Sequence, residues 1–450
     1  MKNTIITILT IALSLLFFTN CKDDKDDPSV IKSIVCEEDE LQLNLLESKE
    51  VTIVISPENA DDKSFEWEIA DPTIAKAEGN VITGLKEGET WAKIFSIPRP
   101  ELKDSIKITV ASTNVSFNAE NMSFGGRVDI SSNSVTLFYP GSYISTEFTG
   151  STICADLSAT KDVYYWIQID DQEPYKLNVR TKAQWVSGSS SRSIFWLAKN
   201  LEPGKHKATI TLVSEGIYKL PKFYGFVIDK DAKLSKPENK TLKFEFIGNS
   251  ITCGYGTEVT DRSPFQDSTS NFCHSFAYHT AEAFNADYMV VARSGIGIYR
   301  NYGNQTDIPT MLESYEKQWI GSSDNWDFSK YTADIVFINL GTNDTWEMSS
   351  FDETAYETAY RNLLDKVLSH YPNAKLVLLT GCMLQGEALS TIPAILDKIQ
   401  ADYNTEIHPC YRFDFKSVSG TGADWHPCAA QQEKMGKDLV EFLQQEVISF

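Results

Sequence analysis

Two patterns of apolar and polar positions divide the chain. Over residues 29–237 the apolar positions come in short, partly alternating runs between turn residues. Residues 50–57 (E-V-T-I-V-I-S-P) are β-branched, 64–69 (S-F-E-W-E-I) alternate, 79–85 (G-N-V-I-T-G-L) have hairpin chemistry, and 105–110 (S-I-K-I-T-V) close a first unit. Similar runs recur at 134–139, 143–148, 163–169, 175–179 and 207–212, separated by Pro140-Gly141, Asp170-Asp171 and Pro203-Gly204. Short strands at this spacing predict two successive β-sandwiches. From Leu242 onward the period changes. Apolar runs at 242–248, 287–292, 334–340, 375–380 and 410–414 read as strands, and 271–285, 353–370, 388–403 and 429–447 read as helices. Within 353–370, Tyr356, Ala359, Tyr360, Leu363, Leu364 and Val367 form a stripe at helical spacing. A strand such as I-V-F-I-N-L at 335–340 is apolar almost throughout, as expected when helices cover both faces of a parallel sheet. The expectation is a multidomain chain: a sandwich over 29–112, a jelly-roll or similar sandwich over 113–237, and a three-layer α/β domain over 238–450. The polar, turn-rich stretch 230–240 marks the last boundary.

Composition narrows the partners. The chain has 450 residues, 42% hydrophobic and 23% charged, a globular composition long enough for more than one domain. A formal net charge of −21 argues against nucleic acid and against an anionic membrane surface, and suits a neutral ligand such as a polysaccharide. Aromatic residues reach 12%; most pack in cores, and an exposed remainder could stack on sugars.

The first 21 residues read as a processing segment. Lys2 supplies a positive start, and residues 5–18 are apolar but short for a membrane span. F-T-N-C at 18–21 resembles a bacterial lipobox, which makes Cys21 the lipid acceptor. K-D-D-K-D-D at 22–27 looks like the acidic surface-export signal of Bacteroidetes lipoproteins, within a tether over 22–28. The expected location is the bacterial outer membrane, facing outward, held by acyl chains on Cys21. Seven cysteines remain once Cys21 is set apart from the eight, so at least one stays unpaired, and no C-x-x-C spacing suggests zinc. Residues 67–85 (W-E-I-A-D-P-T-I-A followed by G-N-V-I-T-G-L) resemble bacterial Ig-like domains, which act as spacers.

The chemistry gathers at strand ends. K-F-E-F-I-G-N-S-I-T-C-G-Y-G-T at 243–257 is a strand that breaks at Gly248 and presents Ser250 on a glycine-rich turn. A-R-S-G-I-G (292–297), G-T-N-D (341–344) and D-W-H-P (424–427) follow later strands, and open α/β sheets place their ligands there. A serine hydroxyl needs a base to become a nucleophile, and His426 supplies an imidazole. A tetrahedral oxyanion needs fixed donors; the Ser250 and Gly295 amides and the Asn343 side chain are suited. His408 is a rival base, more simply read as a solvated loop residue. His274 and His279, five apart, do not share a metal-binding face and read as packing or surface residues. Asp344 reads as a turn or cap residue. Trp346, just after G-T-N-D, is either core or a stacking wall for a sugar ring, and Trp425 is a weaker case of the same kind.

Together these motifs resemble the SGNH, or GDSL-like, hydrolases. The form F-I-G-N-S-I-T-C-G-Y-G, behind a jelly-roll, is more narrowly similar to carbohydrate esterase family 2 over residues 113–450. The resemblance implies a metal-free, cofactor-free serine esterase that removes acetyl groups from polysaccharides such as xylan and mannan. Ser250 is then the nucleophile, His426 the base, and Ser250, Gly295 and Asn343 form the oxyanion hole. Two departures stand out. G-N-S replaces the usual G-D-S, and Ala423 stands where the family at large has an aspartate, three residues before the histidine. A backbone carbonyl could then hold the imidazole, giving a Ser-His dyad; Asp424 is the alternative orienter. The alternatives in function are an esterase for other small acyl groups, such as sialate O-acetyl, and a non-catalytic glycan-binding lipoprotein.

Overall fold

The computed structural model describes residues 29–448 apart from 46, 117–119, 181–184, 189–191 and 203. The leader and tether expected over 1–28, with Cys21, lie outside the described residues. Two compact units are present, one within residues up to 110 and one from 111 onward together with 44–47. Among the described residues no helix is long and apolar enough to cross a membrane.

In the first unit, Phe65–Ile69 and Lys103–Ala111 pair antiparallel with Gly88–Ser96 on either side of it. Alternation sends Ile94, Ile106 and Ile108 fully inward. The hairpin Ala75–Glu78 to Val81–Gly84 turns at Gly79, whose φ of +61° is the left-handed region that glycine adopts without penalty.

The second unit begins with two antiparallel sheets. One is centred on Ile153–Ser158 between Lys222–Ile228 and Arg192–Ala198; the other on Gly204–Leu212 between Tyr143–Gly150 and Tyr164–Ile169. Leu157, Phe195 and Phe223 of the first share one buried core with Ile144, Ile167 and Ile210 of the second.

The α/β part follows. Its strands are β1 (Lys243–Gly248), β2 (Asp287–Ala292), β3 (Ile335–Asn339), β4 (Lys375–Thr380) and β5 (Cys410–Asp414). All pair in parallel, in the spatial order β2-β1-β3-β4-β5. Helices α1 (Ser250–Cys253), α2 (Phe276–Ala283), α3 (Glu353–His370), α4 (Ala388–Tyr403) and α5 (Ala429–Phe442) accompany it, with a single helical turn at Met311–Ser314. The stripe of α3, with Ile392, Ile395 and Leu396 of α4, buries against one face of the sheet, and α2 and α5 bury Phe276, Ala277, Met435 and Leu439 against the other. This is a three-layer arrangement whose strand order reverses between β1 and β3, the position that opens a crevice at the ends of the parallel strands.

Two sequence expectations change. The single helix expected over 271–285 is a 3₁₀ turn, Phe272–His274, followed by α2. The Asn271 side chain accepts from the Cys273 amide and the Ser275 side chain from the Tyr278 amide, so two successive caps split the segment. The helix expected over 429–447 is α5 closed by one π turn, Leu443–Val447. All seven described cysteines are buried and unpaired.

Glu245, in the middle of β1, is fully buried. Its partner comes from the sandwich: Arg127, equally buried, stands 3.2 Å away and also donates to the Tyr315 and Lys317 carbonyls, while the Tyr315 hydroxyl donates to Glu245 at 3.0 Å. A buried charge in a strand needs such a partner. The pair therefore ties the sandwich to the sheet beneath the nucleophile turn.

Candidate active site

β1 ends at Gly248 because the chain folds back there at once. A Cβ on Gly248 would meet Thr252 Oγ1 at 2.1 Å. Asn249 then caps α1: its side-chain oxygen accepts from the Ile251 amide at 3.1 Å. Asparagine at this position thus supplies the acceptor that an aspartate would. Ser250 is the first residue of α1 and is buried, and Gly254 ends the turn with φ +73°.

His426 arrives from beyond β5. Its Nε2 is 2.8 Å from Ser250 Oγ. Its Nδ1 faces the Ala423 carbonyl at 3.1 Å and the Asp424 carbonyl at 3.3 Å. A carbonyl can only accept, so the ring proton sits on Nδ1 and the Nε2 lone pair faces the serine hydroxyl. Burial holds the imidazole below its ordinary value, with the two carbonyls pulling the other way, so the neutral base is favoured near pH 7.

The Asp424 carboxylate does not orient this ring. It accepts from the Tyr255 hydroxyl at 2.7 Å and the Phe265 amide at 3.2 Å. The reason is local: Asp424 and Trp425 both have left-handed backbones, φ +44° and +68°, which swing the aspartate away. Ala423 is fully buried and packs closely on the nucleophile turn: a Cβ on Gly256 would meet its methyl at 2.2 Å. The loop is fastened to the nucleophile turn by Ala423 N–H to Gly256 O at 3.0 Å and Ala429 N–H to Thr257 O at 2.8 Å.

Gly295 and Asn343 follow β2 and β3, the two neighbours of β1. Gly295 has φ +80°, and a Cβ there would meet only Tyr302 at 4.0 Å. Asn343 Nδ2 donates to the Ile296 carbonyl at 2.7 Å, which binds the two turns together. Asp344, fully buried, accepts from the Ile298 amide at 2.9 Å and the Tyr299 amide at 3.0 Å. Burial pushes its carboxyl up to about 6, against the pull of these amides. It is a cap, as its position after the strand suggests, but a cap for the neighbouring loop.

Beside the Gly295 and Asn343 turns, Trp346 is 37% exposed and Tyr302 57% exposed, their rings edge to face at 5.7 Å. Trp425 is 58% exposed with the Arg262 guanidinium 3.9 Å from its ring. His408 bonds within its own loop, to Thr405 and the Tyr403 carbonyl. His274 lies edge-on to Trp166. No group of three or more metal-ligating side chains is present among the described residues.

Tyr255 escaped the sequence reading. Its ring covers His426 at 4.1 Å between centroids, and Phe265 stacks behind it at 4.2 Å. The available signal was an aromatic residue set between two glycines beside the nucleophile.

Residues 124–237 match the carbohydrate esterase 2 N-terminal family and 246–437 the GDSL-like lipase/acylhydrolase family. The cellulase/esterase CelE of Acetivibrio thermocellus is 31% identical over 324 residues, 70% of this chain; the chain spans 38% of that longer protein. An acetylxylan esterase/glucomannan deacetylase of Cellvibrio japonicus is 27% identical over 341 residues, covering 71% of this chain and 90% of the relative. A family two carbohydrate esterase from Clostridium thermocellum, solved in complex with cellohexaose, superposes with a TM-score of 0.65 at 29% identity, covering 72% of this chain and 99% of that one. The sheet-rich region thus matches the carbohydrate esterase 2 N-terminal family and the α/β domain behind it matches the GDSL-like lipase/acylhydrolase family, in that order along the chain.

Proposed function

We propose that the protein is a serine esterase that removes O-acetyl groups from plant-type polysaccharides or oligosaccharides such as xylan and mannan. The observation that carries this reading is the 2.8 Å contact between His426 Nε2 and Ser250 Oγ, with the ring proton held on the far nitrogen by a backbone carbonyl. Ser250 Oγ attacks the acetyl carbonyl while His426 takes its proton. The Ser250 and Gly295 amides and the second N–H of Asn343 Nδ2 receive the oxyanion. His426 then protonates the departing sugar oxygen, and water repeats the sequence on the acetyl-enzyme. Trp346, Tyr302 and Trp425 offer exposed ring faces to sugars at the mouth. Measuring acetate released from acetylated xylan, glucomannan and pectin tests the substrate class. Release from the first two supports it; hydrolysis of only non-glycan esters would refute it.

The sandwich over 113–237 is a jelly-roll in this reading, and the region 29–112 an Ig-like spacer. The motif at 18–27 supports acylation at Cys21 and display at the outer membrane surface. Labelling cells with a fatty-acid probe tests this: incorporation lost in Cys21→Ala supports it, and incorporation unchanged in that variant overturns it.

A further inference from the structure

We infer that Glu215, a residue of the sandwich, is a positioning residue for the oxyanion hole of the α/β part. The inference rests on the esterase reading above. Ser294 immediately precedes Gly295. Its amide donates to both carboxylate oxygens of Glu215 at 3.2 Å, and its hydroxyl donates to Oε1 of the same group. The peptide that carries the Gly295 N–H is therefore gripped on its leading side by Glu215. On its trailing side Asn343 Nδ2 holds the Ile296 carbonyl, and Asp344 holds the next turn. A glycine at φ +80° has no side chain to fix it; its carbonyl accepts from the Tyr302 amide at 2.9 Å, and together with that bond these neighbours set where its amide points.

The loop that presents Glu215 is tied down through its own residues. On one side, the Val213 carbonyl accepts from the Phe272 amide at 3.1 Å, and Val213 is buried in the core beneath α2 and α5. On the other, Ile217 is buried in the same cluster as Ile296, on the opposite face of the sheet. Gly216 between them donates to the Phe138 carbonyl at 3.1 Å, and a Cβ there would meet Leu212 and Pro221 at 2.9 Å. Glu215 is thus held by contacts to both layers of the α/β part. Its use is geometric. A carboxylate near a developing oxyanion does not stabilise that charge, but a carboxylate accepting a backbone amide is a strong anchor. The sandwich in this account supplies part of the catalytic geometry.

The test compares wild type, Glu215→Ala, Glu215→Gln and Ser294→Ala with 4-nitrophenyl acetate, together with inhibition by phenylboronic acid, whose serine adduct places an oxygen in the oxyanion hole. A misplaced oxyanion donor costs up to about 100-fold. For Glu215→Ala we expect kcat to fall roughly 10- to 100-fold with little change in KM, and boronate affinity to fall in step. Glu215→Gln keeps an acceptor for Ser294 and should restore most of both; Ser294→Ala, which keeps the amide contact, should lose less than Glu215→Ala. An unchanged kcat in Glu215→Ala, or a loss that Glu215→Gln does not recover, overturns the inference. An inactive wild type overturns the esterase reading instead.

Discussion

The Nδ1 atom of His426 points at the carbonyl oxygen of Ala423, 3.1 Å away, where a triad enzyme would present a carboxylate. The nearest acid, Asp424, is engaged with Tyr255 and Phe265. Loss of the aspartate in a Ser-His-Asp triad costs about 10⁴ in kcat. For Asp424→Asn, which tolerates the left-handed backbone and keeps an acceptor for Tyr255, kcat should fall by less than about 10-fold. Steady-state kinetics check this; a loss near the triad value would mean that Asp424 turns to the imidazole during turnover.

Asn343 is the one side-chain donor of the proposed oxyanion hole. Asn343→Ala removes a donor and also frees the Ile296 carbonyl. A loss of about 10²–10³ in kcat with a nearly unchanged KM is expected, since the interaction matters when charge develops. A change confined to KM would assign Asn343 to substrate binding.

The acidic side of the pH profile follows from the direction of two shifts. His426 must be neutral to act, and burial lowers its value from the ordinary 6.5, so the midpoint of kcat/KM on the acid side should lie below 6.5. Asp344, pushed up to about 6, also gains a proton in that range and becomes a weaker acceptor for the Ile298 and Tyr299 amides. The acid limb should therefore fall more steeply than one protonation allows. A single-proton limb centred above 6.5 would contradict both assignments.

Stability has its own test at Arg127 and Glu245. Removing one member of a buried ion pair costs about 3–5 kcal/mol, so Arg127→Met should shift the denaturant midpoint strongly. Burial raises the Glu245 carboxyl, with Arg127 and the Tyr315 hydroxyl opposing. Without Arg127 that rise is greater, and the folded variant takes up a proton more readily. Its deficit should then shrink as pH falls. A deficit independent of pH would mean that Glu245 is not left charged and unpaired.

Much of this was legible in the chain because it rests on local chemistry. The strands 287–292, 375–380 and 410–414 fall where the apolar runs place them, since parallel strands buried on both faces admit little else. The buried stripe of α3 is the one read from spacing. Ala423 already pointed to a base without a carboxylate behind it. What was not legible depends on distant partners. Glu245 sits in an apolar run and makes sense only with Arg127, 118 residues earlier. Glu215 lies in a turn of another region and acquires meaning only beside Ser294. The split at Ser275 turned on whether a serine in a helical pattern would cap or continue, and propensity alone does not settle that.

In the proposed reaction Ser250, activated by His426, carries the acetyl group. Acetate release from acetylated glucomannan and hydrolysis of 4-nitrophenyl acetate, measured side by side for wild type and Ser250→Ala, test it most directly. An active wild type and a loss of about 10⁴-fold or more in the variant on both substrates are expected; equal rates for the two proteins would rule out Ser250 as the nucleophile.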